Sequence, residues 1–435
     1  MKKFYYPLII LCFSVFSLSK TTAQGVGINA TGAVPDPSAM LHVEGGFLVT
    51  GAPGGAVPDL GAGSRLMFYP VKAAFRAGNV TGTQWNNINV GLYSVALGNN
   101  TIATANSSTA MGNNTLAAGA NSTAMGINSI ANNSSATAMG NTTVASGVNA
   151  FAMGIFTTAS GANSTAIGNN TIASGNNSTA MGINSIANNS SATAMGNSTT
   201  ASGGNSTAIG NSTTASGFNS TAIGNNTTAS GPNSTAMGNG VSTNSRDGAF
   251  VIGDNSLVAA MTSSADNQMS MRFAGGYRLF SNLINTTGVT LAPGGGSWST
   301  VSDKHKKENF SALDAESILK KVAALPLSKW NYKSQPASQK HVGPMAQDFY
   351  AAFQLDGIGN DSTINTGDID GINMAAIQAL EKRTADLKNE NERLKTSVAE
   401  LQKKFTAQQK LIEQLLINTK QTHQSSAFTR QHATK

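Results

Sequence analysis

The sequence predicts a mainly β protein whose centre is a parallel solenoid of 14-residue coils, followed by a small α+β domain and a coiled coil. Three observations predict it. Glycine recurs in one register at 98, 112, 126, 140, 154, 168, 182, 196, 210, 224 and 238, each time after Ala and then Met, Ile or Leu. No charged side chain occurs from residue 77 to 245. A heptad pattern then occupies the C-terminal end, with Ile377, Thr384, Asn391, Val398, Phe405 and Ile412 in one seam column and Leu380, Leu387, Leu394, Leu401, Gln408 and Leu415 in the other.

The chain has 435 residues, enough for several domains. Its net charge of +7 includes Lys2, Lys3 and Lys20. Without these three it is +4, with both signs mixed after Val301 and no basic patch, so nucleic-acid binding is not expected. Residues 1–24, "MKKFYYPLIILCFSVFSLSKTTAQ", have a basic start, a short apolar stretch and small residues at the end, the layout of a signal peptide. Export follows, with no membrane span in the mature chain. The sole cysteine, Cys12, lies in that segment, so disulfides cannot staple the mature protein.

Residues 25–90 carry short apolar runs, "AMLHV" and "RLMFYPVKAAF", read as an N-terminal β cap that closes the end of the solenoid. The Gly-rich "GAPGGAVPDLGAGSR" lacks the Gly-Lys-Ser/Thr of a phosphate loop. Residues 91–255 form the repeat. A 14-residue unit is too short for a helical hairpin and suits two short strands with two tight turns. Half a period after each register glycine comes "ASG" or a variant of it, as at Gly147, Gly161, Gly175, Gly203, Gly217 and Gly231. Residues 121–140 recur identically at 177–196, which points to duplicated coils.

Strand alternation puts Ala110 inside the coil and Thr109 and Met111 outside, and the same holds along the stack. So small a coil encloses only residues such as Ala. The outward Met/Ile column therefore requires cover from beyond its own coil, most simply a neighbouring subunit. Residues 256–301 are read as a β stem and Gly-rich linker, with "MSMRFAGGYRLFSN" as a hairpin.

Residues 302–371 change character. "DAESILKKVAALP" is a helix stopped by Pro326, "LSKWNYK" a strand, and "GPMAQDFYAAF" a turn into a helix. The coiled coil spans 372–420, with Asn391 fixing its register, and 421–435 is expected to be a disordered polar tail.

The units "NSTAIG…ASG" resemble the head repeats of trimeric autotransporter adhesins. That resemblance implies a left-handed parallel β-roll in each of three subunits, without the expectation of the membrane barrel that ends those adhesins. The stretch after Val301 resembles the endosialidase-type intramolecular chaperone at the C-termini of phage tail spikes. Ser302, Asp303, Lys307, Asn309 and Phe310 match its self-cleavage motif, and His341, Gly343, Ala346 and Gln347 match a second motif. The family often has Arg three residues after the serine, where this chain has His305.

The resemblance implies cleavage at Val301–Ser302 by a Ser302–Lys307 dyad, with His341 either orienting the serine, stabilising the oxyanion, or structural. A neutral lysine takes the hydroxyl proton, and burial and neighbouring cations favour that neutral form. The expectation is an exported homotrimeric fibre or adhesin at the cell surface, by Gram-negative-type secretion. Its chaperone directs assembly and then releases itself in a single turnover. The alternative is a structural fibre that keeps its C-terminal domain because His305 or Val301 prevents cleavage.

No activity on other substrates is expected. Residues 77–245 hold no Asp or Glu for glycoside hydrolysis, and the five histidines form no close pair for a metal. No cofactor is called for. Whether the fibre's ligand is a protein or a glycan is left open by the sequence.

Overall fold

The computed structural model describes residues 26–28, 41–43, 48–49, 57–256, 259–355 and 361–432. The expected signal peptide, 1–24, lies outside the described residues. The chain divides into two compact units, Met1–Gly275 and Gly276–Lys435.

The first unit is a parallel β-solenoid. Each coil contributes one five-residue strand, such as Thr109–Asn113, and one two-residue strand, such as Leu116–Ala117. The long strands build a 15-stranded sheet and the short ones a 12-stranded sheet. Neighbouring coils stack without slip, Thr109 on Thr123, Ala110 on Ala124, Met111 on Met125 and Gly112 on Gly126. The interior consists of two alanine columns, typified by Ala110 and Ala117, both fully buried.

Beside the alanines run columns of buried Ser and Thr, such as Ser108 and Thr115. The Ser108 hydroxyl donates to the Ala105 carbonyl at 2.7 Å. Small polar groups thus share the lumen with the alanines.

The register glycines are required on two counts. Gly168 has φ +130°, and a Cβ there would lie 2.0 Å from the carbonyl oxygen of Gly182 in the next coil. Both corners of the coil place a residue in the left-handed region, as at Asn114 (φ 54°) and Asn121 (φ 59°), where Asn is among the best-tolerated residues with a side chain. The corner amides link coil to coil, Asn163 donating to Asn177 at 3.1 Å.

The stacking outlasts the regular period. Phe250–Gly253 pairs in parallel with residues 235–238, and Met269–Arg272 pairs with Phe250–Gly253. The roll therefore continues past Asn255, the boundary expected from the glycine spacing. Longer corners holding Arg246, Asp247 and Asp254 break the 14-residue count without breaking the backbone ladder.

At the other end, a hairpin of Gly63–Tyr69 and Ala74–Val80 joins the long sheet, its second strand parallel to Val95–Asn99. Arg76 stands opposite Ala96, in the alanine column, and is fully buried. It donates to the carbonyls of Phe75, Ser94 and Ala103 and to the Ser94 hydroxyl. Burial pushes its guanidinium down to about 10, still well above neutrality. Arg76 thus plugs the lumen and satisfies carbonyls of the first coil. We expect Arg76→Ala to destabilise the roll by about 2 kcal/mol, and Arg76→Lys to rescue it poorly because one ammonium cannot serve four acceptors. Thermal denaturation of the full chain checks this; unchanged melting in Arg76→Ala would contradict it.

The second unit begins with an antiparallel sheet of Tyr277–Phe280, Gly288–Leu291 and Ser299–Thr300. Helix α1 (Ala315–Ala324) is capped by Asp314, whose carboxylate accepts from the backbone of Glu316 and Ser317. A hairpin of Ser328–Trp330 and His341–Gly343 leads to α2 (Ala346–Phe353) and then to α3 (Thr366–His432). Ile318 of α1, Phe349 of α2, and Ile372, Ala375 and Ala376 of α3 form the core. Arg383 of α3 binds Glu316 of α1, and its hydrogen bond holds the Glu316 carboxyl below the usual carboxylate range.

Beyond this core α3 runs alone. Leu387, Leu394, Leu401 and Phe405 of the heptad seam are 54–65 % exposed. The helix also continues through 421–432, where a disordered tail was expected. No Gly or Pro occurs there to stop it, and Thr422 back-bonds to the Asn418 carbonyl at 2.6 Å.

Candidate active site

The site forms where the small sheet ends. The Val301 amide donates to the Gly288 carbonyl at 3.0 Å, which continues the sheet pairing by one residue. The chain then leaves the sheet at Ser302 and enters a 3₁₀ turn over Lys304–Lys306. Asp303 caps the turn, its carboxylate accepting from the His305 amide at 2.9 Å, and the Lys307 amide closes it on the Lys304 carbonyl. The turn folds the chain back far enough for the Lys307 ammonium to donate to Ser302 Oγ at 2.7 Å. Asn309 follows with φ +58°, a left-handed step in which Asn is well tolerated.

Asp303 shapes the turn and Lys307 meets the Ser302 hydroxyl. His305 enters the turn through its backbone N–H, which any residue but proline supplies, so replacement of the family's arginine leaves the turn's geometry intact. Ser302 to Phe310 are all exposed in the single chain. Water reaches both members of the dyad, whereas a lysine acting as a base must be held neutral, which desolvation favours.

His341 sits elsewhere in this unit, paired with Trp330 across the hairpin and stacked on its indole, ring centroids 4.8 Å apart. Its Nε2 lies 3.0 Å from Gln335 Oε1. That oxygen also accepts the Tyr332 backbone N–H at 3.1 Å, so Gln335 presents an acceptor and His341 Nε2 carries the hydrogen. Among the described residues no hydrogen bond joins His341 to Ser302.

Gly343 ends the same strand opposite Ser328, and Gln347 is exposed in the first turn of α2. The structure therefore gathers Ser302, Asp303 and Lys307 into one turn and His341 and Gly343 into a separate hairpin. Gln335, which fixes the His341 tautomer, carries no signal in the sequence beyond its place in a polar loop.

Among the described residues no cluster of three or more His, Cys, Asp or Glu is placed to hold a metal, and no helix is long and apolar enough to cross a membrane. Residues 302–357 match the family model described as chaperone of endosialidase, and the match begins at Ser302 itself. The model described as YadA head domain repeat matches six stretches, 90–115, 117–143, 145–171, 173–198, 187–213 and 215–240. No curated protein matches the chain. YadA-type head repeats thus lead into an endosialidase-type chaperone segment, the architecture of a surface-exposed, adhesin-like protein.

Proposed function

We propose that this chain, in which YadA-type head repeats precede an endosialidase-type chaperone, is an exported homotrimeric fibre that cuts off its own C-terminal assembly domain. The observation that carries this reading is the 2.7 Å hydrogen bond between Lys307 and Ser302 at the first residue of the chaperone segment.

The carbonyl nearest Ser302 Oγ along the chain is that of Val301. Attack on it closes a five-membered ring, as Lys307 in its neutral form takes the hydroxyl proton. The ring opens by breaking the Val301–Ser302 C–N bond. Lys307 returns the proton to the departing Ser302 amine, and Val301 is left esterified to Ser302 Oγ. Water hydrolyses the ester, giving a Val301 carboxylate on the fibre and a fragment that begins at Ser302.

Assembly gates this step. The dyad is solvated in one chain, and the exposed seam of α3 lacks a partner until other copies bind. Three copies joined through that seam exclude water from the junction and favour the neutral amine. They also solve a register problem, because identical coils stacked side by side could slip by a whole coil. The clamp fixes the register before it is removed, and removal makes the assembled state hard to reverse.

The outward Met/Ile column, Met111 to Met237, is half-buried in the single roll over most of its length and gains its cover from a neighbouring subunit. Exposure of the dyad favours one other reading, a fibre that keeps its clamp. Charge in the seam separates the two. The Leu387→Asp, Leu394→Asp double variant is expected to remain monomeric in sedimentation and to stay uncut. Cleavage of the monomeric variant to the wild-type extent would contradict assembly gating.

A further inference from the structure

The roll has one corner built differently from the rest. The first residue after the half-period "SG", or after the pair that replaces it, is Asn106, Ala120, Ser134, Val148, Ala162, Asn176, Ser190, Gly204, Phe218 and Pro232 in successive coils. Only at position 204 is the side chain missing, and the next coil supplies the column's one aromatic ring. The backbone of Gly204 lies outside the left-handed region, so its conformation does not call for glycine. The close neighbour is the ring: a Cβ on Gly204 would come within 3.1 Å of Cδ2 and Cε2 of Phe218, so a side chain there would push the ring aside. The ring leans back over the coil below it and is still 57 % exposed.

Beside the ring runs an amide ladder. Asn205 donates to Asn219 at 3.0 Å, Asn219 to Asn233 at 3.2 Å, and Asn233 to the Asp247 carboxylate at 3.1 Å. The three asparagines are exposed and held in the left-handed region, so their side chains stand in a fixed row. The ladder uses one N–H of Asn219 and one lone pair of its carbonyl oxygen, leaving one of each for a ligand. From 77 to 245 the chain has no charge, and the Asp247 carboxylate at the ladder's end already accepts from Asn233.

An apolar platform bordered by fixed amide donors and acceptors matches the two surfaces of a pyranose, its C–H face and its equatorial hydroxyls. We propose that Phe218, seated on Gly204 and flanked by Asn205, Asn219 and Asn233, is a binding site for a neutral, pyranose-containing glycan. This rests on the reading of the roll as a surface-displayed, adhesin-like element and names its ligand class. A three-fold assembly would present the site three times, so weak single contacts add through avidity.

The test uses the full-length, assembled protein on an array of neutral glycans built from hexoses and N-acetylhexosamines. Wild type is expected to be retained. Phe218→Ala and Gly204→Asn, the latter restoring the residue found at 106 and 176, are expected to bind about tenfold more weakly, with Phe156→Ala unchanged. Retention of no neutral glycan, or retention indifferent to Phe218→Ala, overturns the site. So does loss of the assembled state in Phe218→Ala without glycan binding by the wild type, which would make the ring a contact between copies. Cleavage and oligomeric state are measured on the same samples. Glycan binding by an uncut or non-trimeric protein would refute the maturation scheme and leave this site standing.

Discussion

Ser302→Ala is expected to leave the chain in one piece. The alanine has no oxygen to attack the Val301 carbonyl, so no ester forms, and the rate of cleavage should fall by on the order of a thousandfold or more. Lys307→Arg should be as inactive as Lys307→Ala. A guanidinium keeps the positive charge and the reach but cannot become a neutral base. His341→Ala should cut more slowly without being abolished, since its ring pairs with Gln335 and stacks on Trp330 rather than touching Ser302. Denaturing gels of the assembled variants give all four readings. A cut Ser302→Ala protein would show that another group is the nucleophile.

The second large effect belongs to the roll. Gly168→Ala should destabilise it by about 3 kcal/mol or more and open the stack near that coil, read as a lowered melting temperature and new proteolytic nicks. Two penalties coincide at this position. The backbone sits at φ +130°, and the new methyl would meet a neighbouring carbonyl oxygen at 2.0 Å, with no side chain free to move aside. Gly204→Ala is the control. There the backbone is ordinary and the obstacle is the edge of one exposed ring, so a small loss is expected. Equal melting of Gly168→Ala and wild type would contradict the close stacking of coils.

These contrasts explain what the sequence could and could not disclose. The 14-residue glycine register was legible because each glycine answers a local demand that recurs unchanged in every coil. The alanine lumen was legible through strand alternation. The buried Ser and Thr columns were not, since the same residues also suit exposed turns. Arg76 does carry a signal in the sequence: it is the last charge before the neutral run, and it stands in the alanine column. Continuation of the roll to Arg272 was hidden because backbone stacking tolerates longer corners while a spacing rule does not.

In the second unit, the pairing of Ser302 with Lys307 is implied by the family resemblance, since five-residue spacing in a charged stretch equally suits a solvated turn; the structure adds that one capped turn brings the two side chains within hydrogen-bond distance. The surroundings of His341 depend on Trp330, Tyr332 and Gln335, whose packing no spacing rule predicts. The length of α3 is not legible in residues 421–432, because a polar composition suits both a solvated tail and a helix that nothing stops.

The most direct test of the central claim is the intact mass and N-terminal sequence of the C-terminal product from wild-type, assembled protein. The account predicts a fragment that begins at Ser302, absent from Ser302→Ala. An assembled trimer containing only full-length chains, or a fragment that begins at any other residue, would contradict it.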